Sequence, residues 1–209
     1  MALCRAPRSL AIQKSVIKSV YTTTKFLGFI VMSLQQLIQT RQLKSALQPI
    51  VDTYRSALIG YEGLIRGPKG HELERPDALF AAAASPDLRH NLELHCAQSA
   101  LTAFDTRHFA GLLFINIDPN ILALPSTFGT FEALKAEAKA PIVLELSEHH
   151  PVADTNALKQ QILKLRTIGY RFAIDDLGAG HSSFKLWAEI RPDFVKVDRY
   201  FIKEALLNK

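Results

Sequence analysis

The stretch Arg171–Gly180, RFAIDDLGAG, decides the fold of this 209-residue chain. Its first four residues, Arg171–Ile174, include three apolar side chains in a row and predict a short buried strand. Two carboxylates, Asp175 and Asp176, follow where that strand ends, and the glycines then open a turn into a predicted helix near Ser182–Glu189. A strand that passes through a polar, glycine-rich turn into a helix is one repeat of an α/β fold.

The same repeat occurs upstream at regular spacing. Predicted strands at Leu112–Ile117 and Ile142–Leu146 carry Asn116 and Glu145 near their ends, 29 positions apart. Asp175 follows Glu145 by 30 positions, so each interval is one βα unit. Equivalent positions of successive units meet on one face of a barrel, at the carboxyl ends of its strands. The other predicted elements of this series are helices Phe128–Ala138 and Thr155–Thr167 and the strand Phe194–Val197.

The chain enters this series through a hairpin. Strands are predicted at Gln48–Val51 and Leu58–Arg66, and the six residues between them are too few for the crossover that a parallel pair needs. A single helical stretch, Pro76–Phe104, is expected to follow before the repeats begin. The fold class is therefore α/β, a TIM-like β/α barrel with an antiparallel first strand and about six of the usual eight strands.

Charge separates the start of the chain from the rest. Residues 1–51 hold seven of the 25 Lys/Arg and no Asp or Glu, which leaves 18 basic and 20 acidic residues for 52–209, a net charge of −2. Binding to a nucleic-acid polymer is therefore not expected. Residues 1–31 are expected to be a basic, disordered or non-native extension, and residues 32–209 the barrel domain. An amphipathic helix across Leu27–Ile38 is expected to lead into that domain and pack on its core.

Cysteine usage and hydropathy bear on the location of the protein. Cys4 and Cys96 offer no disulfide framework, which fits a reducing cytoplasm. The longest apolar run, Phe26–Leu34, is interrupted by Ser33 and is far shorter than the roughly 18 residues that a transmembrane helix needs. The resulting prediction is a cytoplasmic protein without a transmembrane segment.

Oxygen-bearing side chains recur near the ends of the predicted strands, where a barrel brings them together. Carboxylate and amide oxygens suit Mg²⁺ or Mn²⁺, whereas zinc prefers histidine and cysteine. The adjacent carboxylates of Asp175 and Asp176 can serve two metals, which together clamp the attacking and leaving oxygens of a phosphodiester displacement. Any one of these side chains alone is more often a cap or turn residue, but their repeat spacing predicts a metal site. The candidate residues are Glu62, Asn116, Glu145 and Asp175, with Lys196 beside them.

Six short motifs stand in order along the chain. They are Gln48-Pro49-Ile50-Val51, Glu62-Gly63-Leu64-x-Arg66, Asn116-x-x-Pro119, Glu145-x-x-Glu148, Asp175-Asp176-x-Gly178-x-Gly180 and Lys196-x-Asp198. In residues and in order they resemble the motifs of EAL domains, the bacterial signalling phosphodiesterases that hydrolyse cyclic di-GMP to linear pGpG. The resemblance covers the chain from about Leu34 to its end.

The resemblance implies three sets of functional residues. One set binds two metal ions, Mg²⁺ or Mn²⁺, and acts on the attacking water. A second set binds the partner molecule, cyclic di-GMP. The third set is one glutamate that stabilises the glycine-rich loop. A homodimer is compatible with the resemblance, which does not decide the oligomeric state. The implied metal ligands are Glu62, Asn116, Glu145 and Asp175 for the first ion and Asp176 for the second; the catalytic residues are Lys196, Glu62, Asp175 and Asp176; the substrate-binding residues are Gln48, Leu64 and Arg66; and the loop-stabilising residue is Glu148.

The match departs from the family in two ways. Gly63, Gly67 and Leu177 stand where the family has alanine, an aromatic residue and phenylalanine, and the loss of a ring at Gly67 is expected to loosen the substrate pocket. The family continues after its Lys-x-Asp strand with two further strands and a second-metal glutamate, whereas eleven residues follow Asp198 here. The expectation is a domain truncated at its C-terminus that hydrolyses cyclic di-GMP weakly or not at all. Three histidines are not expected to bind metal, namely His149, His150 and His181.

Two other functions stay open at this point. A non-catalytic module would retain Gln48, Leu64 and Arg66 and bind cyclic di-GMP, or another protein, without cleavage. An enolase-like barrel would use Lys196 to abstract a carbon-bound proton beside Mg²⁺. The second alternative does not explain the Gln-Pro-Ile-Val and Glu-Gly-Leu motifs.

Overall fold

Strands and helices alternate along the part of the chain that the computed structural model describes, residues 32–147, 151–178 and 183–207, of which 183–185 are described by backbone alone. The strands are β1 (Lys44–Asp52), β2 (Ala57–Arg66), β3 (Leu112–Ile117), β4 (Ile142–Ser147), β5 (Arg171–Leu177) and β6 (Phe194–Val197). The helices are α1 (Leu34–Gln39), α2 (Pro76–Ala82), α3 (Pro86–Thr106), α4 (Pro119–Leu122), α5 (Thr127–Glu137), α6 (Thr155–Thr167), α7 (Ser183–Ile190) and α8 (Arg199–Leu207).

All six described strands belong to one sheet, in the order β1-β2-β3-β4-β5-β6. β1 and β2 are antiparallel, and Asp52 Oδ1 closes their turn by accepting hydrogen bonds from the backbone N–H groups of Tyr54 and Arg55 at 2.9 and 3.0 Å. Every later pair of strands is parallel, with one or more helices between each strand and the next. The predicted α/β class with an antiparallel first strand is therefore confirmed.

Apolar side chains lie on both faces of the sheet. One face of the sheet packs against the helices and is called the outward face; its residues, such as Leu113 and Ile115, belong to the main core. On the opposite face, called the inward face, Phe114, Val143 and Ala173 form a smaller apolar layer. Since successive side chains of a strand alternate between the two faces, the residue two positions after each of these three also faces inward. Those following residues are polar, and they are Asn116, Glu145 and Asp175.

The helical stretch expected across Pro76–Phe104 is in fact two helices, α2 and α3. The break lies at Ser85, whose side-chain oxygen accepts a hydrogen bond from Leu88 N at 3.2 Å, with Pro86 at the first position of α3. A serine cap followed by proline begins a helix, because proline has no N–H to continue the preceding one. Two more helices, α4 and α8, are not among those predicted from the sequence.

The first described helix, α1, lies within the amphipathic helix expected across Leu27–Ile38. Leu34 and Leu37 of α1 are buried, and the helix packs on α3. Residues 1–31, and with them the first part of the expected helix, lie outside the described residues, so the division between 1–31 and 32–209 stays a prediction. No helix in the described ranges has both the length and the hydropathy to cross a bilayer.

Gly63 lies on the outward face of β2, against α3. A Cβ atom on Gly63 would lie 2.5 Å from the Cβ atom of Ala100, closer than two carbon atoms approach without displacement. We therefore expect Gly63→Ala, which introduces the alanine that the resemblance to EAL domains implies here, to lower the free energy of unfolding by about 1–3 kcal/mol.

Ala100→Gly is expected to restore part of that loss in the double variant, since it removes the opposing methyl group, although glycine inside a helix costs about 1 kcal/mol by itself. Denaturant unfolding of the wild type, both single variants and the double variant gives the coupling energy between the two positions. A coupling energy near zero would contradict the packing argument.

Candidate metal centre

Three carboxylates from three strands converge on the inward face of the sheet. Glu62 comes from β2, Glu145 from β4 and Asp175 from β5, and one oxygen of each lies within 4.8 Å of the other two. Asn116 of β3 joins them by donating a hydrogen bond from Nδ2 to Glu62 Oε1 at 2.7 Å. With Lys196 of β6, the structure brings together all five residues that the sequence singled out. Glu62, however, lies four residues before the end of β2 and not at the strand end as expected.

Glu145 is the most deeply buried member of this centre, with a side chain that is 0% exposed. Its pKa is raised to about 8, chiefly by burial and then by the charge of Glu62, against the opposing effect of the Lys196 ammonium. Among the described residues, no hydrogen-bond donor reaches Glu145 Oε2. A buried carboxylate oxygen without a partner is unfavourable, and a divalent cation would provide that partner. The donor set, all oxygen, therefore fits Mg²⁺ or Mn²⁺.

Lys196 stands at the middle of the carboxylates. Its Nζ atom lies 2.6 Å from Glu145 Oε1, 2.7 Å from Glu62 Oε2 and 4.0 Å from Asp175 Oδ1. The contact with Glu62 is a directed hydrogen bond, whereas the contact with Glu145 is a close ion pair outside hydrogen-bond geometry. Burial lowers the pKa of Lys196, but the charges of Glu145 and Glu62 outweigh burial and raise it overall. Asp198, two residues after Lys196, accepts a hydrogen bond from the backbone N–H of Tyr200 at 2.6 Å, at the start of α8.

Asp175 and Asp176 lie side by side toward the end of β5. The pKa of Asp175 is raised, chiefly by burial, against the opposing charge of Lys196. Asp176 has a φ angle of 58°, in the left-handed region that non-glycine residues seldom adopt, and its backbone N–H donates to Asp175 Oδ1 at 3.1 Å. Asp176 is not a member of the three-carboxylate group, so its assignment to a second metal stays a prediction.

The three residues assigned to dinucleotide binding lie on the same face of the sheet as Glu62. Gln48 is directly opposite Glu62 in the antiparallel β1–β2 pair, and such cross-strand partners share a face. Leu64 and Arg66 follow Glu62 at two-residue intervals, so they also face inward, toward the carboxyl end of β2. The three side chains form a strip beside the carboxylates, and their role in binding stays a prediction.

The loop after Arg66 needs glycine at position 67. Gly67 N donates a hydrogen bond to Glu74 O at 2.9 Å, so the loop folds back onto its own start. A Cβ atom on Gly67 would lie 1.9 Å from Leu73 O. The backbone of the loop thus occupies the space that a side chain would need, and Gly67 permits this close approach. The expected loosening of the substrate pocket by the missing ring stays a prediction.

Four predicted residues lie outside the described part of the chain, as do residues 179–182 of the glycine-rich turn. The four residues are Glu148, His149, His150 and His181. The role of Glu148 in stabilising the glycine-rich turn stays a prediction.

Sequence reasoning missed a charged cluster on the outward side of β3. Arg89 and Glu93 of α3 form an ion pair at 3.2 Å, and Glu93 is 4% exposed. Arg89 also lies 3.7 Å from Asp118, which follows the end of β3. The sequence did contain a signal for this cluster. Arg89 and Glu93 are four positions apart in α3, a spacing that allows an ion pair, and Glu93 lies directly after Leu92, on the face that the apolar residues of the helix predict to be buried.

The raised pKa of Glu145 predicts how the stability of the metal-free chain depends on pH. Between the ordinary pKa of 4.5 and the folded-state value of about 8, the folded chain holds a proton on Glu145 that the unfolded chain releases. The free energy of unfolding is therefore expected to fall as pH rises through this window. Saturating Mn²⁺ is expected to oppose the fall, because a metal binds the deprotonated carboxylate.

Denaturant unfolding in EDTA at pH 5 and pH 8, for the wild type and Glu145→Gln, measures this dependence. Glutamine does not titrate, so the variant is expected to lose less stability over the interval, while the other titrating groups are the same in both proteins. Equal losses in the two proteins would show that Glu145 is not the responsible group.

The sheet and its inward acidic centre define a protein of the TIM-like β/α barrel class. The family model of the EAL domain matches residues 31–209, and the chain belongs to this family. The resemblance drawn from the six sequence motifs is thus confirmed.

Two relatives illustrate the similarity. The Escherichia coli protein named probable cyclic di-GMP phosphodiesterase PdeN is 32% identical over 176 residues, which are 79% of this chain and 33% of PdeN. The Bacillus subtilis protein YkuI, an uncharacterized EAL-domain containing protein, is 30% identical over 163 residues, 75% of this chain and 40% of YkuI. The chain therefore spans less than half the length of either relative.

Solved structures agree with the fold. Klebsiella pneumoniae BlrP1, in a complex with manganese and cyclic di-GMP at pH 9.0, matches with a TM-score of 0.68 and 28% identity over 78% of this chain and 42% of BlrP1. An EAL domain protein from Listeria monocytogenes matches with a TM-score of 0.70 at 23% identity over 82% of this chain and 69% of that protein, a likeness of fold alone.

Proposed function

We propose that this chain binds Mg²⁺ or Mn²⁺ and hydrolyses cyclic di-GMP to linear pGpG, with residues 32–209 as the working domain in a reducing cytoplasm. The observation that carries the proposal is the group of three carboxylate oxygens within 4.8 Å, in which buried Glu145 has an oxygen without a donor among the described residues. The name of PdeN and the contents of the BlrP1 complex support the same metal and substrate.

In the proposed reaction, some residues of the centre bind the cation and another interacts with the attacking water and the phosphate. A bound divalent cation supplies positive charge that polarises a phosphodiester and acidifies water. Glu62, Glu145 and Asp175 would provide the negative charge that holds it, and Asn116 orients Glu62 through their hydrogen bond. Lys196 then places an ammonium group beside the reaction centre, where it orients the attacking water and stabilises charge on the phosphate oxygens.

The strip beside the carboxylates suits a cyclic dinucleotide. The guanidinium of Arg66 offers fixed donors that match phosphate oxygens, and Gln48 offers an amide that both donates and accepts. Leu64 lies between them on the inward face and gives an apolar surface for a base. Phosphate and base would thereby contact separate side chains next to the metal centre.

One observation favours a second candidate function, a non-catalytic cyclic di-GMP-binding module. The Lys196 ammonium already balances Glu62 and Glu145 at 2.7 and 2.6 Å, so the centre is partly neutralised without a metal ion. Under this alternative the chain binds the dinucleotide along Gln48, Leu64 and Arg66 and does not cleave it.

Binding and turnover measured on the same preparation separate the two functions. Calorimetry with cyclic di-GMP gives binding, and chromatography of pGpG gives turnover, each with Mn²⁺, with Mg²⁺ and in EDTA. We expect binding together with slow pGpG formation that EDTA abolishes; the slow rate stays a prediction of the sequence. Binding without any pGpG in Mn²⁺ or Mg²⁺ would favour the binding module, and absence of both would overturn both functions.

A further inference from the structure

Asp118 joins β3 to α4, two residues after Asn116. Its Oδ1 atom accepts hydrogen bonds from Asn120 N at 2.9 Å and from Asn120 Nδ2 at 3.2 Å. Its Oδ2 atom lies 3.7 Å from Arg89 Nη2, and its backbone N–H donates to Glu93 Oε2 at 3.4 Å. The turn that follows the ligand-bearing end of β3 is therefore held from both α3 and α4.

The support from α3 is buried and fixed in position. Arg89 Nε lies 3.2 Å from Glu93 Oε1, and the guanidinium also lies 4.5 Å from the centre of the Phe80 ring of α2. The pKa of Glu93 is raised to about 7, chiefly by burial and against the opposing charge of Arg89. A buried ion pair contributes little net stability compared with apolar packing. Both members of this pair contact Asp118, and these contacts hold the turn.

Asn120 extends this network to the next strand. Its Nδ2 donates a hydrogen bond to Pro151 O at 2.9 Å, and its Oδ1 accepts one from Ala153 N at 2.8 Å. Pro151 and Ala153 belong to the connection between β4 and α6, and β4 carries Glu145. One side chain thus links the connections that follow the two strands bearing Asn116 and Glu145.

We propose that Asn120, held by Asp118, is a positioning residue of the metal centre that sets the spacing between Asn116 and Glu145. This rests on the proposed function only in taking the centre to bind a divalent cation. The hydrogen bonds of Asn120 run to Asp118 and to the backbone after β4, so its effect on the ligands passes through the ends of β3 and β4. Groups that orient metal ligands from outside change metal affinity by about 10–100-fold.

Asn120→Asp tests the proposal with little change in shape. Aspartate keeps an acceptor for Ala153 N, but it replaces the Nδ2 donor with an oxygen that faces Pro151 O and the Asp118 carboxylate. We expect the Kd for Mn²⁺ to rise about tenfold by titration calorimetry well below the Tm. Asn120→Ala removes the Nδ2 hydrogen bonds and also the acceptor for Ala153 N, without adding charge. It is expected to shift the Kd in the same direction, so it replaces the aspartate variant if that variant does not fold.

Gln98→Ala is the matched control. It removes a side-chain amide that bridges α3 to Glu137 of α5 at 3.3 Å, on an exposed surface, and it is expected to leave the Kd unchanged. An unchanged Kd in the Asn120 variants, whatever their Tm, would overturn the positioning role, because a purely structural role lowers the Tm alone. Shifted Kd values in a chain that forms no pGpG would overturn the proposed catalysis and keep the positioning role. A wild type that binds no Mn²⁺ would overturn both.

Discussion

Glu62→Gln is expected to weaken Mn²⁺ binding about 100-fold and to abolish pGpG formation. Both oxygens of Glu62 are engaged: Oε1 accepts from Asn116 Nδ2 and Oε2 accepts from Lys196 Nζ, each at 2.7 Å. Glutamine has one acceptor oxygen, so one of these donors would face another donor, and the centre would lose one negative charge. Unit charges 4 Å apart near a protein surface interact by about 4 kcal/mol, and the partial exposure of Glu62 reduces the expected effect below that value.

Titration calorimetry with Mn²⁺ and chromatography of pGpG check this result, with Asp193→Asn as the control. Asp193 is also a carboxylate engaged by the sheet, since its Oδ2 accepts a hydrogen bond from Phe172 N at 2.9 Å, but it lies before the start of β6. The control is expected to bind Mn²⁺ as the wild type does. Wild-type Mn²⁺ affinity in Glu62→Gln would remove Glu62 from the ligands.

Lys196→Met is expected to act in opposite directions on metal binding and on turnover. The Lys196 ammonium lies among the carboxylates, 2.6 Å from Glu145 and 2.7 Å from Glu62, and repels any cation that binds them. Its removal is expected to tighten Mn²⁺ binding about tenfold, because the centre becomes one charge more negative. Turnover is expected to fall by at least about 100-fold, since the proposed function has this ammonium orient the attacking water and stabilise charge on the phosphate oxygens.

The same two assays test this separation, and Lys203→Met provides the control. Lys203 is an exposed lysine of α8, so its loss alters the net charge equally without altering the centre. We expect both its Mn²⁺ affinity and its rate of pGpG formation to match the wild type. Undiminished turnover in Lys196→Met would exclude the lysine from the reaction, and weaker Mn²⁺ binding would show that it supports the cation and does not compete with it.

The hairpin and the strand positions could be predicted from the sequence because they depend on local properties. The short connection after Val51 allows only an antiparallel pair, and the predicted strands Leu112–Ile117 and Phe194–Val197 match β3 and β6. The break between α2 and α3 also has a local signal, because Ser85-Pro86 is typical of a helix start. The sequence analysis missed it because residues on both sides of the break favour helix. The predicted end of the second strand at Arg66 also matches β2, so only the expectation that Glu62 stands at that strand end was wrong.

The sequence alone placed Asn116, Glu145 and Asp175 on one face, because intervals of 29 and 30 positions return these side chains to the same face of successive strands. Only the tertiary structure decided how these residues interact. The burial of Glu145, the place of Lys196 among the carboxylates and the link from Asn120 to the connection after β4 join residues far apart in the chain. Their geometry depends on strand stagger and helix packing, which no local pattern encodes, whereas spacing along a strand follows from its two-residue period.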